Sequence, residues 1–305
     1  MRTGFLVIST ALFGLAGPLA AVVAPSAAFA ASGPSSVAVA PQYDTSHVYV
    51  APTDVDRFVH SFLATFGGTS TPQVVATVTP TPSSTTSQLL QTPVGTVSLF
   101  GFKTPVPTPF GAERSGYLVK DLDKAISEAK KAGADVIVAA FPDPIGRDVV
   151  IQWPGGVNMQ LYWHNTPPSY APFQTVPENR IYVSAQRASA YIKAFTTFSR
   201  GKVVSDVNNA PGVEIGRPAD TYRRVRIESD FGKMTVLVTD GHLPYPFGHE
   251  TTGYEVGNLQ DTLAKAKAAD ATVIVEPFTT GARTAAVVMF PGGYVAEIHQ
   301  LSAAG

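Results

Sequence analysis

Two short segments of the chain carry side chains whose types and spacing suit catalysis or ligand binding. His249 and Glu250 are adjacent in the segment PFGHETTGYEV, and Glu297 and His299 lie two residues apart near the C-terminus. Imidazoles and carboxylates perform general acid–base catalysis and bind divalent metals. Residues two apart in a β-strand point to the same face, so Glu297 and His299 would share one surface. HETTG has Gly253 where a HExxH zinc motif has its second histidine, and therefore does not predict a zinc protease.

The rest of the sequence excludes several other kinds of chemistry. It contains no cysteine, so thiol catalysis, cysteine-bound metals and disulfides are ruled out. It also lacks a GxSxG nucleophile motif, a phosphate-binding P-loop and a GxGxxG segment after a strand. The 22 basic and 23 acidic residues are nearly balanced, and they form no basic stripe. We therefore expect no nucleic-acid partner.

The N-terminal residues 1–30 have the pattern of a secretory signal peptide. A positive charge at Arg2 precedes an apolar run, and Ala28-Phe29-Ala30 has the small-x-small form after which signal peptidase cuts. Prolines interrupt the run before it reaches the ~20 residues that a membrane span needs. We expect an exported protein, periplasmic or extracellular, with no membrane span in its mature form. An uncleaved N-terminal anchor is the alternative.

The chain contains an internal duplication. PFGHETTGYEV has an earlier counterpart in PFGAERSGYLV, and the same offset relates WPGG to FPGG further along. An ungapped match of this length indicates two homologous halves, which agrees with the two domains that 305 residues suggest. We place the halves at residues 45–164 and 178–301. A flexible leader at residues 31–44 precedes them, and a proline-rich linker at residues 165–177 joins them.

Each half divides again into two similar units. The first unit starts with the β-rich run HVYV, which is followed by apolar residues at helical spacing, namely Val55, Phe58, Val59, Phe62 and Phe66. Strand-like segments come next, and the pattern restarts at SGYLV with a second helix, where Gly133 is placed to end it. The sequence therefore predicts a strand–helix–strand–strand–strand unit, βαβββ, used four times.

A duplicated pair of βαβββ units resembles the vicinal oxygen chelate superfamily, which includes glyoxalase I, extradiol dioxygenases and bleomycin-resistance proteins. The resemblance is carried by the openings HVYVAPTDVDRFVHSFLATFGG and GYLVKDLDKAISEAKKAGADV and by the endings WPGGVNMQLYW and FPGGYVAEIHQ. It extends over nearly all of the chain that follows the predicted signal peptide. It implies an α+β fold of two homologous domains, each a pair of βαβββ units that form a cupped mixed sheet with helices on the outside.

The resemblance also implies where metal ligands would lie, because the family takes them from the first and last strands of each unit. The corresponding positions are His47, near Ser98, Arg114 and Gln160 in the first half, and Arg180, near Thr235, Thr251 and Glu297 in the second. A guanidinium group has no lone pair for a metal, so Arg114 departs from the family pattern. The metal-ligand positions are thus predicted to be degenerate, with His47 and Glu297 as the remaining candidate ligands.

The first functional hypothesis is an exported tandem glyoxalase-like protein that binds a small anionic or aromatic molecule, as the resistance proteins of the family do. Arginine suits the oxygens of a carboxylate, phosphate or enolate, and aromatic rings stack on flat molecules. The candidate ligand-binding residues are Arg114, Gln160, Tyr162, Arg180, His249 and His299.

Two alternatives remain open. One is a metal-dependent lyase or ring-opening dioxygenase, in which a Zn, Ni, Mn or Fe ion chelates two substrate oxygens. In that case Glu297 would be the catalytic base or a ligand, and His47 a ligand in the other cup. The other alternative is a structural or interaction module without pocket chemistry, which predicts filled cups. A monomer and a homodimer are both compatible with the sequence.

Overall fold

The computed structural model describes residues 36–302. The predicted signal peptide, residues 1–30, lies outside the described residues, as do residues 31–35 of the predicted leader. The chain from Ser36 onward forms one compact unit. No helix in the described part of the chain is long and apolar enough to cross a membrane. The helices are α1 (Val55–Phe66), α2 (Leu122–Ala132), α3 (Ala185–Ser199) and α4 (Leu259–Ala268).

Seventeen strands form two sheets in the described residues. The strands of the first sheet are β1 (Thr45–Val50), β2 (Thr69–Ser70), β3 (Val74–Ala76), β4 (Thr85–Thr92), β5 (Gly95–Phe102), β6 (Ser115–Leu118), β7 (Asp135–Asp143), β8 (Gly146–Trp153) and β9 (Val157–His164). Those of the second are β10 (Glu178–Val183), β11 (Lys202–Pro211), β12 (Thr221–Ser229), β13 (Gly232–Val238), β14 (Thr251–Glu255), β15 (Thr272–Thr280), β16 (Arg283–Met289) and β17 (Val295–Leu301).

The two sheets have the same strand order. The first runs β2-β4-β5-β1-β6-β9-β8-β7, with β3 paired to β4, and the second runs β11-β12-β13-β10-β14-β17-β16-β15. In each βαβββ unit the first strand is parallel to the last, as β1 is to β5 and β14 to β17. The two units of a sheet meet through antiparallel first strands, β1 with β6 and β10 with β14. The predicted α+β fold of two homologous domains is confirmed.

The helices lie on the convex faces of their sheets, opposite the concave faces. The two convex faces, with their helices, pack against each other. Helix α1 contacts α4, and α2 contacts α3. Phe58 and Phe62 of α1 pack in one apolar cluster with Phe290 of the second half, while Trp153 of the first half packs against Phe195 in another. Burying each such ring contributes about 1.5–3 kcal/mol. The stability of a chain without disulfides comes from this packing.

Strand alternation decides which side chains face away from this core. In β1, Val48 and Val50 belong to the buried apolar cluster, so His47 and Tyr49 point to the opposite, concave face. We call the concave face of the first sheet the first cup and that of the second sheet the second cup.

The repeated phrase has the same backbone conformation in both halves. Each copy begins with a cis proline, at Thr108–Pro109 and Tyr245–Pro246, and contains a glycine with positive φ, 87° at Gly111 and 100° at Gly248. Positive φ is disfavoured for residues with a side chain, which explains why both copies keep glycine. The phrase leads the chain into β6 and β14, so the structure accounts for its repetition by architecture.

The structure differs from the sequence-based expectation in the leader. Val37 and Ala38 are buried, the amide of Val39 donates to the carbonyl of Leu118 at 3.1 Å, and the amide of Lys120 donates to the carbonyl of Val37 at 2.9 Å. Residues 36–44 are therefore fixed against the end of β6 and are not a loose segment, because buried apolar side chains and backbone hydrogen bonds hold them.

Candidate functional site

The first cup encloses a cavity of about 410 Å³. A volume of this size is typical of small-molecule sites, which are on the order of 300–1,000 Å³. Most of the wall is apolar, and aromatic rings form a large part of it. These rings are Tyr49, Phe100, Phe102, Phe110, Tyr162 and Tyr170. The first cup therefore has room for a flat organic molecule.

His47 lies at the floor of this cavity, where β1 pairs with β5. It is opposite Ser98 in the strand register, and its ring meets Phe100 edge to face at a centroid distance of 5.4 Å. Its Nδ1 atom is 3.7 Å from Glu113 and makes no hydrogen bond within residues 36–302. Glu113 instead accepts a hydrogen bond from the Tyr49 hydroxyl. The His47 side chain is 2% exposed, so its Nδ1 is a buried polar atom without a hydrogen-bond partner.

A glycine makes room for the His47 ring. Gly116 of β6 lies beside β1, and a Cβ atom at this position would collide with His47 Nε2 and come within 3.0 Å of Thr45 Oγ1. Arg114, which the family resemblance placed at the inward position, is half-buried and is not among the residues that line the described cavity. Its carbonyl accepts a hydrogen bond from the His47 amide at 2.9 Å. Arg114 is therefore in register with His47, and Gly116 is the residue that lies against the His47 ring.

Gln160 and Tyr162 of β9 line the cavity, as the sequence predicted for ligand-binding side chains. Gln160 pairs with Gly116 in the strand register and makes no side-chain hydrogen bond within the described chain. The Tyr162 hydroxyl donates to the carbonyl of Tyr43, so its ring is a fixed wall. Burial is the main cause that raises the pKa of the Tyr162 phenol well above its ordinary value.

Asp148 is a cavity residue that the sequence-based reasoning missed. Asp148 is on β8, where it pairs with Tyr162 of β9, and it lines the cavity. It is 5% exposed, and neither carboxylate oxygen has a hydrogen-bond partner among residues 36–302. Burial, and then the charge of Asp143, raise the pKa of Asp148 well above its ordinary value. The alternation of side chains along β8 could have identified Asp148. Val149 and Ile151 belong to the core, so Asp148 must point to the opposite face of the sheet.

The second cup contains a buried network of charged side chains. Arg283 binds the carboxylate of Glu297 through Nε at 3.1 Å and Nη2 at 2.8 Å, and its Nη1 binds Glu178 at 2.8 Å. Arg180 donates to the other oxygen of Glu178 at 2.9 Å. His299 Nδ1 donates to Glu297 at 3.0 Å. All five residues are less than 9% exposed.

The charges of this network balance one another. Burial opposes ionisation of both acids, but Arg283 and Arg180 outweigh it. They hold the pKa of Glu178 well below its ordinary value and lower the pKa of Glu297 to about 2. The free space left beside Arg180 and Glu297 is about 10 Å³, the size of one water molecule. The second cup is therefore filled by its own side chains.

This arrangement corrects the predicted roles of several residues. Arg180 was predicted to bind a ligand, but it is paired with Glu178 and buried. Glu297 and His299 share one face as predicted, but that face belongs to the ion-pair network. His249 is exposed and lies near the ring of Tyr245, at 6.3 Å. The structure does not bring His249 to Glu297 and His299, because the loop before β14 keeps it at the surface.

The residues at the family's ligand positions do not fit a metal ion. The first cup offers one imidazole, one hydroxyl and one amide, from His47, Ser98 and Gln160. The fourth position, Arg114, carries a guanidinium group, which has no lone pair for a metal. In the second cup, Glu297 is bound by Arg283, and two guanidinium groups would repel a cation. No group of three or more histidine, aspartate or glutamate side chains in the described chain is placed to hold a metal.

Comparison with known proteins identifies the fold. A scan against protein-family models found no match, and a search of curated proteins found none either. Among solved structures, a mutant of 4-hydroxymandelate synthase from Streptomyces coelicolor has a TM-score of 0.54 at 14% identity, over 90% of this chain and 94% of that one. The 2,3-dioxygenase LapB from Pseudomonas sp. KL28 has a TM-score of 0.52 at 14% identity, over 88% and 93%.

A third similar structure is the Mn(II)-bound glyoxalase from Novosphingobium aromaticivorans, with a TM-score of 0.50 at 13% identity, over 87% of this chain and 83% of that one. These proteins are a synthase, a dioxygenase and a glyoxalase, and TM-scores of 0.50 to 0.54 over most of the chain show that this chain has a similar fold. The chain therefore has the vicinal oxygen chelate fold. At these identities the similarity defines only the fold. The function has to be argued from the side chains in this chain's own cups.

Proposed function

We propose that this protein binds a small aromatic molecule in the first cup, without a metal ion. The observation that carries the proposal is the cavity of about 410 Å³, in which aromatic walls surround three buried polar groups, His47, Asp148 and Gln160. Sites for organic ligands combine a mainly apolar wall with a few polar groups that orient the ligand.

The polar groups of the first cup support a ligand role because the protein itself leaves them without partners. The described chain provides no hydrogen bond to His47 Nδ1 and none to the side chains of Asp148 or Gln160. Burying a polar group without a hydrogen bond costs about 1–3 kcal/mol. A bound molecule that satisfies these groups would recover this cost.

The other hypotheses have less support. A metal-dependent lyase or dioxygenase would need ligands that neither cup supplies, since Glu297 is engaged by Arg283 and Arg114 has no lone pair for a metal. A purely structural module would have both cups filled. The second cup is filled by ion pairs, but the first has space for a ligand.

The test is occlusion of the first cup. Ser98 lies on the cavity floor opposite His47, so Ser98→Trp places a large ring in the ligand space. We expect saturation-transfer NMR to detect 2-naphthylmethanol on the purified protein and to lose the signal with Ser98→Trp. Thr272→Trp, at an exposed position on an edge strand of the second sheet, is the matched control and keeps binding. Equal signals from the two variants would contradict the proposal.

We also propose that the protein is exported after cleavage behind residue 30. Support comes from the sequence pattern of residues 1–30, which ends in Ala28-Phe29-Ala30. Expression in a bacterial host followed by intact-mass analysis of the cell fractions tests it. Export predicts a mature chain that begins at Ala31 outside the cytoplasm, whereas a full-length chain retained with the cells would contradict it.

A further inference from the structure

The charge of the first cup is one-sided. Asp143 and Asp148 line the cavity, together with His47 and His164, and the lining contains no lysine or arginine among the described residues. This differs from the sequence-based expectation of an arginine in the cup, which led to an anionic ligand. Arg180 is paired with Glu178 in the second cup. Arg114 pairs through its backbone with His47 but is not among the residues that line the cavity.

Asp148 differs from the other buried acids of the protein. Asp44 accepts a hydrogen bond from the amide of Leu118 at 3.1 Å, Glu113 accepts one from Tyr49, and Glu297 is held by Arg283. Asp148 has more than nine-tenths of its surface buried, lines the cavity and makes no hydrogen bond within the described chain. Its carboxyl group therefore has bonding capacity only toward the cavity.

The aromatic rings around the cavity complement a positive charge. Tyr49 and Phe100 lie against each other at a centroid distance of 5.1 Å, and Tyr49 stacks on Phe102 at 6.0 Å. The faces of such rings attract cations, most strongly when the cation is desolvated. Carboxylate and ring faces thus favour the same sign of ligand charge.

We propose that the ligand of the first cup is a basic aromatic molecule whose protonated amine pairs with Asp148. This inference rests on the proposed function of the first cup and adds the chemical class of the ligand. The flat ring lies among the aromatic side chains, and the ammonium group donates to the Asp148 carboxylate. Asp148 of β8 pairs with Tyr162 of β9, and Gln160 lies two residues before Tyr162 on the same strand and face. Its amide oxygen can accept a hydrogen bond from a further N–H of the ligand.

The physical reason for the selectivity is the cost of burying an unpaired charge. An anionic ligand cannot stabilise the ionised form of Asp148, because like charges repel strongly in a medium of low polarity. With a neutral ligand Asp148 has no partner of opposite charge, and burial, which raises the pKa of Asp148, then favours its protonated form. Only a cation gives the carboxylate a charge-assisted hydrogen bond, which is about twice as strong as a neutral one.

Three probes with the same ring separate these cases: 2-naphthylmethylamine is cationic, 2-naphthylmethanol is neutral and 2-naphthoate is anionic. Titration calorimetry of the purified protein at neutral pH is expected to show the amine binding at least about tenfold more tightly than the alcohol, a difference of about 1.4 kcal/mol. The naphthoate is expected to bind most weakly. This ranking is measured on the unmodified protein, so it does not depend on any variant folding.

Asp148→Asn tests the assigned residue, because it removes the charge with almost no change of shape. We expect it to bring the amine and the alcohol to within about threefold of each other, while Asp123→Asn, an exposed acid whose side chain is 74% accessible, keeps the full ranking. Thermal melts of both variants check the fold.

The outcomes separate this inference from the function on which it rests. If the alcohol binds as tightly as the amine, or Asp148→Asn keeps the preference for the amine, the cation assignment is overturned and the aromatic site stands. If none of the three probes binds to the unmodified protein, the proposed function itself fails.

Discussion

Arg283 holds the carboxylate of Glu297 by two parallel hydrogen bonds, from Nε at 3.1 Å and from Nη2 at 2.8 Å. Glu297 is the residue that the sequence marked as a candidate catalytic base and metal ligand. With His299 as a third donor at 3.0 Å, its carboxylate is a structural acceptor at the centre of a buried network. A pKa lowered to about 2, despite burial, by Arg283 and Arg180 makes Glu297 a poor base near neutral pH.

The first prediction concerns the loss of one partner from this network. Arg283→Met leaves Glu297 and Glu178 buried with too little positive charge, and we expect it to lower the free energy of unfolding by about 3–5 kcal/mol. Urea denaturation measures the change. Arg147→Met is the control, because Arg147 pairs with Asp123 at the surface, and surface pairs contribute about 0–1 kcal/mol. Equal small losses from both variants would contradict the structural role of the network.

The second prediction concerns metal content. Because neither cup offers a fitting donor set, we expect protein purified without chelators or a histidine tag to contain much less than one equivalent of Zn, Ni, Mn or Fe by elemental analysis. Added MnCl₂ or ZnCl₂ should leave the melting temperature unchanged, since a ligand that binds the folded state raises it. One equivalent of metal that is lost in His47→Ala or Glu297→Ala would show that a metal site exists.

The duplication and strand alternation were sufficient to predict the fold. The predicted inward positions near Thr235 and at Thr251 do lie opposite Arg180, because a period of two and a repeated phrase fix the register of neighbouring strands. The predicted position at Arg114 is likewise in register with His47, whose amide donates to the Arg114 carbonyl, while Gly116 pairs with Thr45 and Gln160.

The chemistry of the cups was much less accessible from the sequence. Arg283 follows a turn in TTGARTAAVVMF, and nothing local indicates that it reaches both Glu178 and Glu297 on other strands. Asp148 carries a recognisable signal only once β8 is known to face a cavity. Which charges are paired and which remain free depends on contacts between distant strands, whereas the fold depends on patterns that are local in the chain.

The third prediction concerns the space that Gly116 leaves for His47. Gly116→Ala would push a Cβ atom into the His47 ring, and overpacking a buried site costs about 1–3 kcal/mol of stability. We expect this loss in urea denaturation, together with weaker binding of 2-naphthylmethylamine. Gly257→Ala is the matched control, because a Cβ there meets no atom within 4 Å. A Gly116→Ala variant as stable as the control would show that the His47 ring is not confined.

The last prediction concerns Glu250, the acid of the His-Glu pair in PFGHETTGYEV. Its carboxyl group lies between the two halves, where the Ser115 hydroxyl donates to it at 3.4 Å. Burial raises its pKa to about 8, against smaller opposing effects of Ser115 and Arg114, and Glu113 adds to the increase. Burial is the main cause that raises the pKa values of the Tyr117 and Tyr191 phenols, and a negative charge on the nearby Glu250 raises them further.

A raised pKa means that the folded state holds a proton that the unfolded state releases from about pH 4.5 upward. The unfolding free energy should therefore fall as the pH rises from about 4.5 to about 8.

Glu250→Gln removes this dependence, and we expect it to stabilise the protein by about 1–3 kcal/mol at pH 8.5 and by little at pH 5, since one pKa unit corresponds to about 1.4 kcal/mol. Urea denaturation at both pH values measures the difference. Glu276→Gln, at an exposed acid, should match the unmodified protein at both. If Glu250→Gln shifts stability equally at pH 5 and pH 8.5, Glu250 is not protonated in the folded protein.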